Sequence, residues 1–330
     1  MLRSSLIIII FIIVICYFCT LEGSGYSSTQ RSIDNCNIEE TNGDVSNRDN
    51  IQEKPYMWVY WELINNVKTV PPYITMCMDI MKKNTSGTFK MVLLNEKTVF
   101  DYLPDLRQDI NDLPIALKTD YVRVRLLARY GGLWVDADTI VMTDLREIAQ
   151  KINQGVDYIG VGCTGAICLD QEGLGKPSNS VMGSVKNGRL ISRCLKELDI
   201  KLNSYYQTPV KDRKEFDYFD LGKIIIWNEY QKLKTEDPEY TLYHVPSYAD
   251  GSRDSDGRWV AMNLIFPQPI KYAKKDKLMV VLMVNSAYCG KDPHYNWFCK
   301  LEIPDILSGN YFVTQLFKTA LSYDPMKHTC

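Results

Sequence analysis

An α/β fold with a mainly parallel central sheet flanked by helices is predicted by three observations. Short apolar runs alternate with helical patterns from residue 57 to residue 203. A long helical pattern at 113–130 stops abruptly at Gly131-Gly132. The apolar run that follows ends in Asp136-Ala137-Asp138, at the strand end where open α/β sheets bind their ligands.

Taken in order, the chain opens with LIIIIFIIVICYFCTL at 6–21, uncharged and preceded by Arg3. A helix of roughly 16 residues is about 24 Å long, short for a ~30 Å hydrocarbon core but longer than many signal-peptide segments. Residues 1–22 are therefore a signal anchor or a signal peptide. The positive charge ahead of the run keeps the amino terminus cytosolic and turns the rest toward a lumen, as a single-pass type II membrane protein, or a secreted one if the segment is cleaved. Residues 23–54 are rich in Ser, Asn, Asp, Gly and Glu and read as a flexible stem.

One folded domain then spans 55–330. Strands are predicted at 57–61, 89–94, 133–135, 139–142, 157–161 and 180–185, and helices at 72–83, 113–130, 144–153 and 189–203. Pro72 suits a first helical turn, and Leu117, Tyr121, Val124 and Ala128 give the second helix an apolar stripe. Beyond residue 205 the pattern weakens.

Composition excludes several classes. The 330 residues are 45% hydrophobic and 24% charged, with a net charge of −2, so neither disorder nor a collagen fits. Without a Lys/Arg block there is no electrostatic footprint for nucleic acid. Asn84-Thr85-Ser86 is the glycosylation acceptor sequon and is expected to face solvent. Of the ten Cys, Cys163 with Cys168 and Cys289 with Cys299 are local candidates for pairing in an oxidising lumen, while Cys77 and Cys194 sit in helical patterns as candidate buried thiols.

On a strand, Asp136 and Asp138 would point to one face and Ala137 to the other. Two adjacent carboxylates repel unless a divalent cation or hydrogen-bond donors lie against them. A second such triplet, Asp254-Ser255-Asp256, lies in the turn-like run ADGSRDSDGR and reads as a solvated loop. Haloacid-dehalogenase-like phosphatases also carry Asp-x-Asp after a strand, but they open their domain with that strand and need a later acidic strand end, and neither is found.

The stretch Lys118-Thr119-Asp120-Tyr121-Val122-Arg123 followed by Arg129-Tyr130-Gly131-Gly132-Leu133-Trp134-Val135-Asp136-Ala137-Asp138 resembles the sugar-binding DxD region of a glycosyltransferase family. That family comprises the capsular-polysaccharide-synthesis type, the initiating α-1,6-mannosyltransferase type and the large clostridial glucosylating toxins. Upstream Trp58-Val59-Tyr60-Trp61 and Pro71-Pro72-Tyr73-Ile74, and downstream Asn179-Ser180-Val181-Met182-Gly183-Ser184, extend the similarity over about 55–203.

The resemblance implies a Rossmann-like GT-A catalytic domain and retaining transfer from a nucleotide-sugar donor to a glycan, glycoprotein or glycolipid hydroxyl, and the topology of the apolar segment places that domain facing the Golgi or ER lumen. It implies Mn²⁺ or Mg²⁺ on Asp138 and Asp136, with Asp136 also reaching the nucleotide. Asp120 and Arg123 would contact the donor sugar, Trp61 or Trp58 the base, Asn179 donor or acceptor, and His294 the metal as a third ligand. The rival reading is a membrane-anchored glycan-binding or inactive relative, against which the intact set Asp120, Arg123, Asp136 and Asp138 stands.

Overall fold

A computed structural model describes residues 53–63, 69–162 and 179–328. The apolar segment at 6–21, the stem, and the candidate pair Cys163 and Cys168 lie outside the described residues. Among the described residues no helix is long and apolar enough to cross a membrane.

The strands are β1 (Tyr56–Tyr60), β2 (Lys90–Leu94), β3 (Gly132–Val135), β4 (Thr139–Val141), β5 (Tyr158–Val161), β6 (Val181–Ser184), β7 (Tyr243–Val245) and β8 (Val280–Leu282). The α-helices are α1 (Pro72–Thr85), α2 (Val99–Tyr102), α3 (Ile115–Tyr130), α4 (Arg146–Asn153), α5 (Arg189–Gln207), α6 (Lys223–Glu236), α7 (Asn285–Tyr288), α8 (Ile303–Ser308) and α9 (Phe312–Ser322).

Six strands form one sheet in the order β2-β1-β3-β6-β5-β7, and β4 pairs with β8 in a second. The sheet is mixed: five of its six strands run one way, as a mainly parallel sheet requires, and β6 alone is reversed. β1 runs parallel to β2 and β3, and β5 to β7, but β6 is antiparallel to both neighbours. Both faces are covered, so inward and outward side chains are equally apolar. Met57, Val59, Leu133, Val135, Ile159 and Val161 pack with α1, α4 and α9 on one side. Trp58, Tyr60, Trp134, Tyr158 and Met182 pack with α3, α5 and α6 on the other.

The Gly-Gly stop has a steric reason. Both residues take positive φ, and a Cβ at Gly132 would lie 2.4 Å from the carbonyl oxygen of Tyr56, so only glycine lets β3 come up beside β1. The predicted stripe on α3 is buried in full.

Two expectations about modified residues part ways. Cys289 and Cys299 are joined in a disulfide, and Cys77 and Cys194 are buried free thiols. Asn84, expected in solvent, is completely buried. Its amide donates both hydrogens, to the carbonyls of Val141 (2.8 Å) and Ala320 (3.1 Å), and so ties α1 to β4 and α9. No glycan fits on that nitrogen in this fold.

Candidate active site

The site forms where the chain leaves the sheet at the end of β3. The Asp136 amide donates to the Ser180 carbonyl (2.9 Å) and the Thr139 amide to the Asp136 carbonyl (3.1 Å). Asp136-Ala137-Asp138 is therefore a turn in the gap between the predicted strands 133–135 and 139–142, and what is corrected is the strand alternation expected within the triplet. Ala137 is buried while both aspartates are partly exposed.

Asp136 is held from the core side. Its Oδ1 accepts from Trp134 Nε1 at 2.8 Å and meets Arg123 Nη1 at 3.2 Å. Asp138 is held from a distant segment: its Oδ2 accepts from the Asn285 backbone amide at 2.9 Å, and its carbonyl accepts from the Met283 amide at 3.3 Å. Asn285 is fixed in turn, its Oδ1 accepting from the hydroxyl of the buried Tyr73 at 2.6 Å. Burial and then the negative charge of Asp136 push Asp138 up to about 7, against the opposing pull of the Asn285 amide. Two carboxylates in each other's field, one short of positive compensation, make a fitting seat for a divalent cation.

Asp120 and Arg123 come together as the spacing predicts, and both are buried. Arg123 Nη2 lies 3.3 Å from Asp120 Oδ1, so its guanidinium spans Asp120 and Asp136, and it sits 4.9 Å over the Trp134 ring. Asn179 joins them: its Nδ2 donates to Asp120 Oδ1 at 2.8 Å, and its carbonyl accepts from Arg123 Nη1. Burial pushes Asp120 up to about 6, with Arg123 pulling down, Asp136 pushing up and Asn179 pulling down in decreasing order. Asp120 Oδ2 takes no part in these bonds.

The aromatic expectations divide. Trp58 is fully buried, donates Nε1 to the Gly131 carbonyl at 2.8 Å and stacks on Tyr56, so it is a core residue and does not meet a nucleotide. Trp61 stands just past β1, half-buried, its Nε1 enclosed without a partner. His294 is exposed and packs its ring 4.9 Å from Phe266 and 4.6 Å from Tyr295. Among the described residues no three His, Cys, Asp or Glu side chains gather as a metal cage, so His294 is not brought to the aspartate pair. Asp254 and Asp256 both engage Arg258 in their own loop.

Several contributors carry no local signal. Trp134 and Asn285 hold the two aspartates. Glu62 pairs with Lys118 at 2.7 Å and accepts from the Tyr60 hydroxyl, filling the space between β1 and α3. Gly222, ahead of α6, lies so close that a Cβ there would be 2.4 Å from Asn179 Nδ2 and 2.5 Å from Asp120 Oδ2.

Comparison with solved structures finds similar proteins at low identity. The apo glycosyltransferase GlyE of Streptococcus pneumoniae TIGR4 aligns over 83% of this chain and 62% of its own, at 10% identity and a TM-score of 0.43. The PaToxG glycosyltransferase aligns over 56% of this chain and 70% of its own, at 16% identity and 0.37. The galactosyltransferase LgtC, in complex with donor and acceptor sugar analogs, aligns over 82% and 98%, at 10% identity and 0.36. No protein of curated function matches the chain. The family described as capsular polysaccharide synthesis protein matches residues 29–235. That stretch carries Asp120, Arg123, Asp136, Asp138, Asn179 and Gly222, and the chain is a glycosyltransferase belonging to the capsular polysaccharide synthesis protein family.

Proposed function

We propose that this enzyme is a metal-dependent, retaining glycosyltransferase that moves a sugar from a nucleotide donor to a hydroxyl of a glycan, glycoprotein or glycolipid. The observation that carries the reading is the single cluster in which Arg123 bridges Asp120 and Asp136 while Asp138 stands beside them short of positive charge. Asp138 and Asp136 are the residues that would hold Mn²⁺ or Mg²⁺. Two protein carboxylates suffice for such an ion when donor phosphates and water complete its shell. The bound cation would supply electrostatic stabilisation of the charge that develops on the departing nucleoside diphosphate.

The chain's own residues have separate tasks. Arg123, immobilised by two carboxylates and an indole face, keeps Asp120 and Asp136 at fixed positions. Asp120 Oδ2, which makes no bond within the cluster and lies beside Gly222, is the acceptor this reading gives to donor-sugar hydroxyls. Trp61 Nε1, an unspent buried donor past the end of β1, suits the nucleotide end of the donor.

The test is a screen of UDP- and GDP-linked sugars for nucleoside diphosphate release with Mn²⁺. Release with at least one donor, abolished by EDTA, is expected, and NMR of the transferred product should give the donor's anomeric configuration. Undiminished release in EDTA, or an inverted product, would contradict the corresponding part of the reading.

Positioning of Asp138 is separately testable. Tyr73→Phe removes only the hydroxyl that pins Asn285, and should raise the Mn²⁺ concentration for half-maximal activity about tenfold with little change in turnover at saturating metal. An unchanged Mn²⁺ dependence would show that Tyr73 merely packs.

A further inference from the structure

We propose that the turn at 217–220 is the acceptor wall of this site and that Tyr218 is the surface on which a sugar ring of the acceptor stacks, an inference that rests on the glycosyl-transfer reading above. The turn belongs to the connection between α5 and α6 and is anchored where it runs into α6. Leu221 is fully buried, and Gly222 lies flush on the Asp120 and Asn179 side chains. The turn itself is stiff: the Asp217 amide donates to Asp220 Oδ2 at 2.8 Å, the Asp220 amide to the Asp217 carbonyl at 3.0 Å, and the Ile224 amide to the Phe219 carbonyl at 3.2 Å.

On this fixed frame stand two large aromatic side chains left in solvent, Tyr218 at 61% exposure and Phe219 at 49%, packed edge to face with centroids 5.0 Å apart. Exposed aromatic area beside a cluster of buried charges is the usual mark of a ligand surface, and a tyrosine offers an apolar face with a polar rim. Tyr218 also faces the site electrically. Partial burial, then the charges of Asp136, Asp120 and Asp138, raise its pKa.

The occupant follows from position. Asp120 is the residue offered to the donor sugar, and the backbone at Gly222 touches it. A wall springing from that point borders the sugar end of the donor and so the side from which a hydroxyl must arrive. Next to the turn, Tyr205 at the end of α5 and Phe216, Asp217 and Asp220 on the connection line a recess of about 600 Å³, together with the basic Lys201, Arg213 and Lys214. Its mixed acidic and basic rim offers both donors and acceptors to sugar hydroxyls, and the recess gives room for an acceptor longer than one residue.

The experiment uses the full chain and p-nitrophenyl glycosides of glucose, galactose and mannose as acceptor probes, with saturation-transfer NMR for binding and an acceptor concentration series for transfer. Wild type should bind at least one glycoside. Tyr218→Ala should raise its acceptor KM about tenfold or more, while Tyr218→Phe, which keeps the ring, stays near wild type. Calorimetry should find affinity for the nucleoside diphosphate with Mn²⁺ unchanged in both variants. An unaltered acceptor KM in Tyr218→Ala, or equal loss of nucleotide affinity, overturns the proposal, as does absence of glycoside binding by a wild-type enzyme that releases nucleoside diphosphate. Absence of metal-dependent release in wild type instead overturns the reading on which it rests.

Discussion

Asp138→Ala should lower turnover about 10²–10³-fold, because it removes a charged contact felt most strongly as the diphosphate departs. The same substitution should change how the metal-free protein responds to pH. Burial and the Asp136 charge lift Asp138 from its ordinary 3.8 to about 7, so the folded state holds its proton more tightly than the unfolded chain does. The stability this contributes is complete below the unfolded value and is lost as pH rises through about 7. In chelator, wild-type melting temperature should therefore fall between pH 4 and pH 8 more steeply than that of Asp138→Ala, as scanning calorimetry would measure. Added Mn²⁺ should restore wild type at pH 7.5 and leave the variant unmoved. Parallel melting profiles for the two proteins, or full activity in EDTA, would remove Asp138 from this role.

Asp120→Asn is the other large effect, and it turns on one atom. Asn179 and Arg123 both use Oδ1, so an amide with its oxygen at that position keeps both contacts. The second oxygen becomes an NH₂, a donor where a sugar hydroxyl needs an acceptor. Transfer should drop about 100-fold, the scale of a lost hydrogen bond to a charged group, with the melting temperature preserved. Arg123→Ala should behave oppositely, costing about 3–5 kcal/mol of stability because two carboxylates lose their shared partner. Were Asp120 and Arg123 only a structural ion pair, Asp120→Asn would melt early and turn over normally in its folded fraction. Calorimetry run beside a transfer assay separates the two outcomes.

How much of this was legible depended on the range of the interaction. The strand and helix succession to residue 203, the Gly-Gly stop and the Asp120 and Arg123 pair all follow from neighbours along the chain. Strand direction did not, since a strand buried on both faces has the same apolar run whichever way it points, and β6 runs against its neighbours. The Asp-x-Asp geometry was misjudged for a related reason. Alternation holds only while the ladder lasts, and the ladder ends at Val135, where the chain swings off to pair with residues 280–282. Asn285 reaches Asp138 across 147 positions of sequence, and Tyr73 reaches Asn285 across 212, so no local pattern announces either. His294 was named on the resemblance, outside the stretch that it covers, and its ring packs against Phe266 and Tyr295.

The burial of Asn84 sets two fates of the newly made chain against each other. Oligosaccharide is added to an Asn side chain while the polypeptide is still extended, and here the nitrogen that would receive it is the one that later clamps α1 to β4 and α9. A chain modified at this position has lost the clamp before it can form, whereas a chain that closes the clamp first hides the position for good. In any compartment equipped to recognise Asn84-Thr85-Ser86, the yield of functional enzyme becomes a race between the closing of one helix and the arrival of one sugar tree.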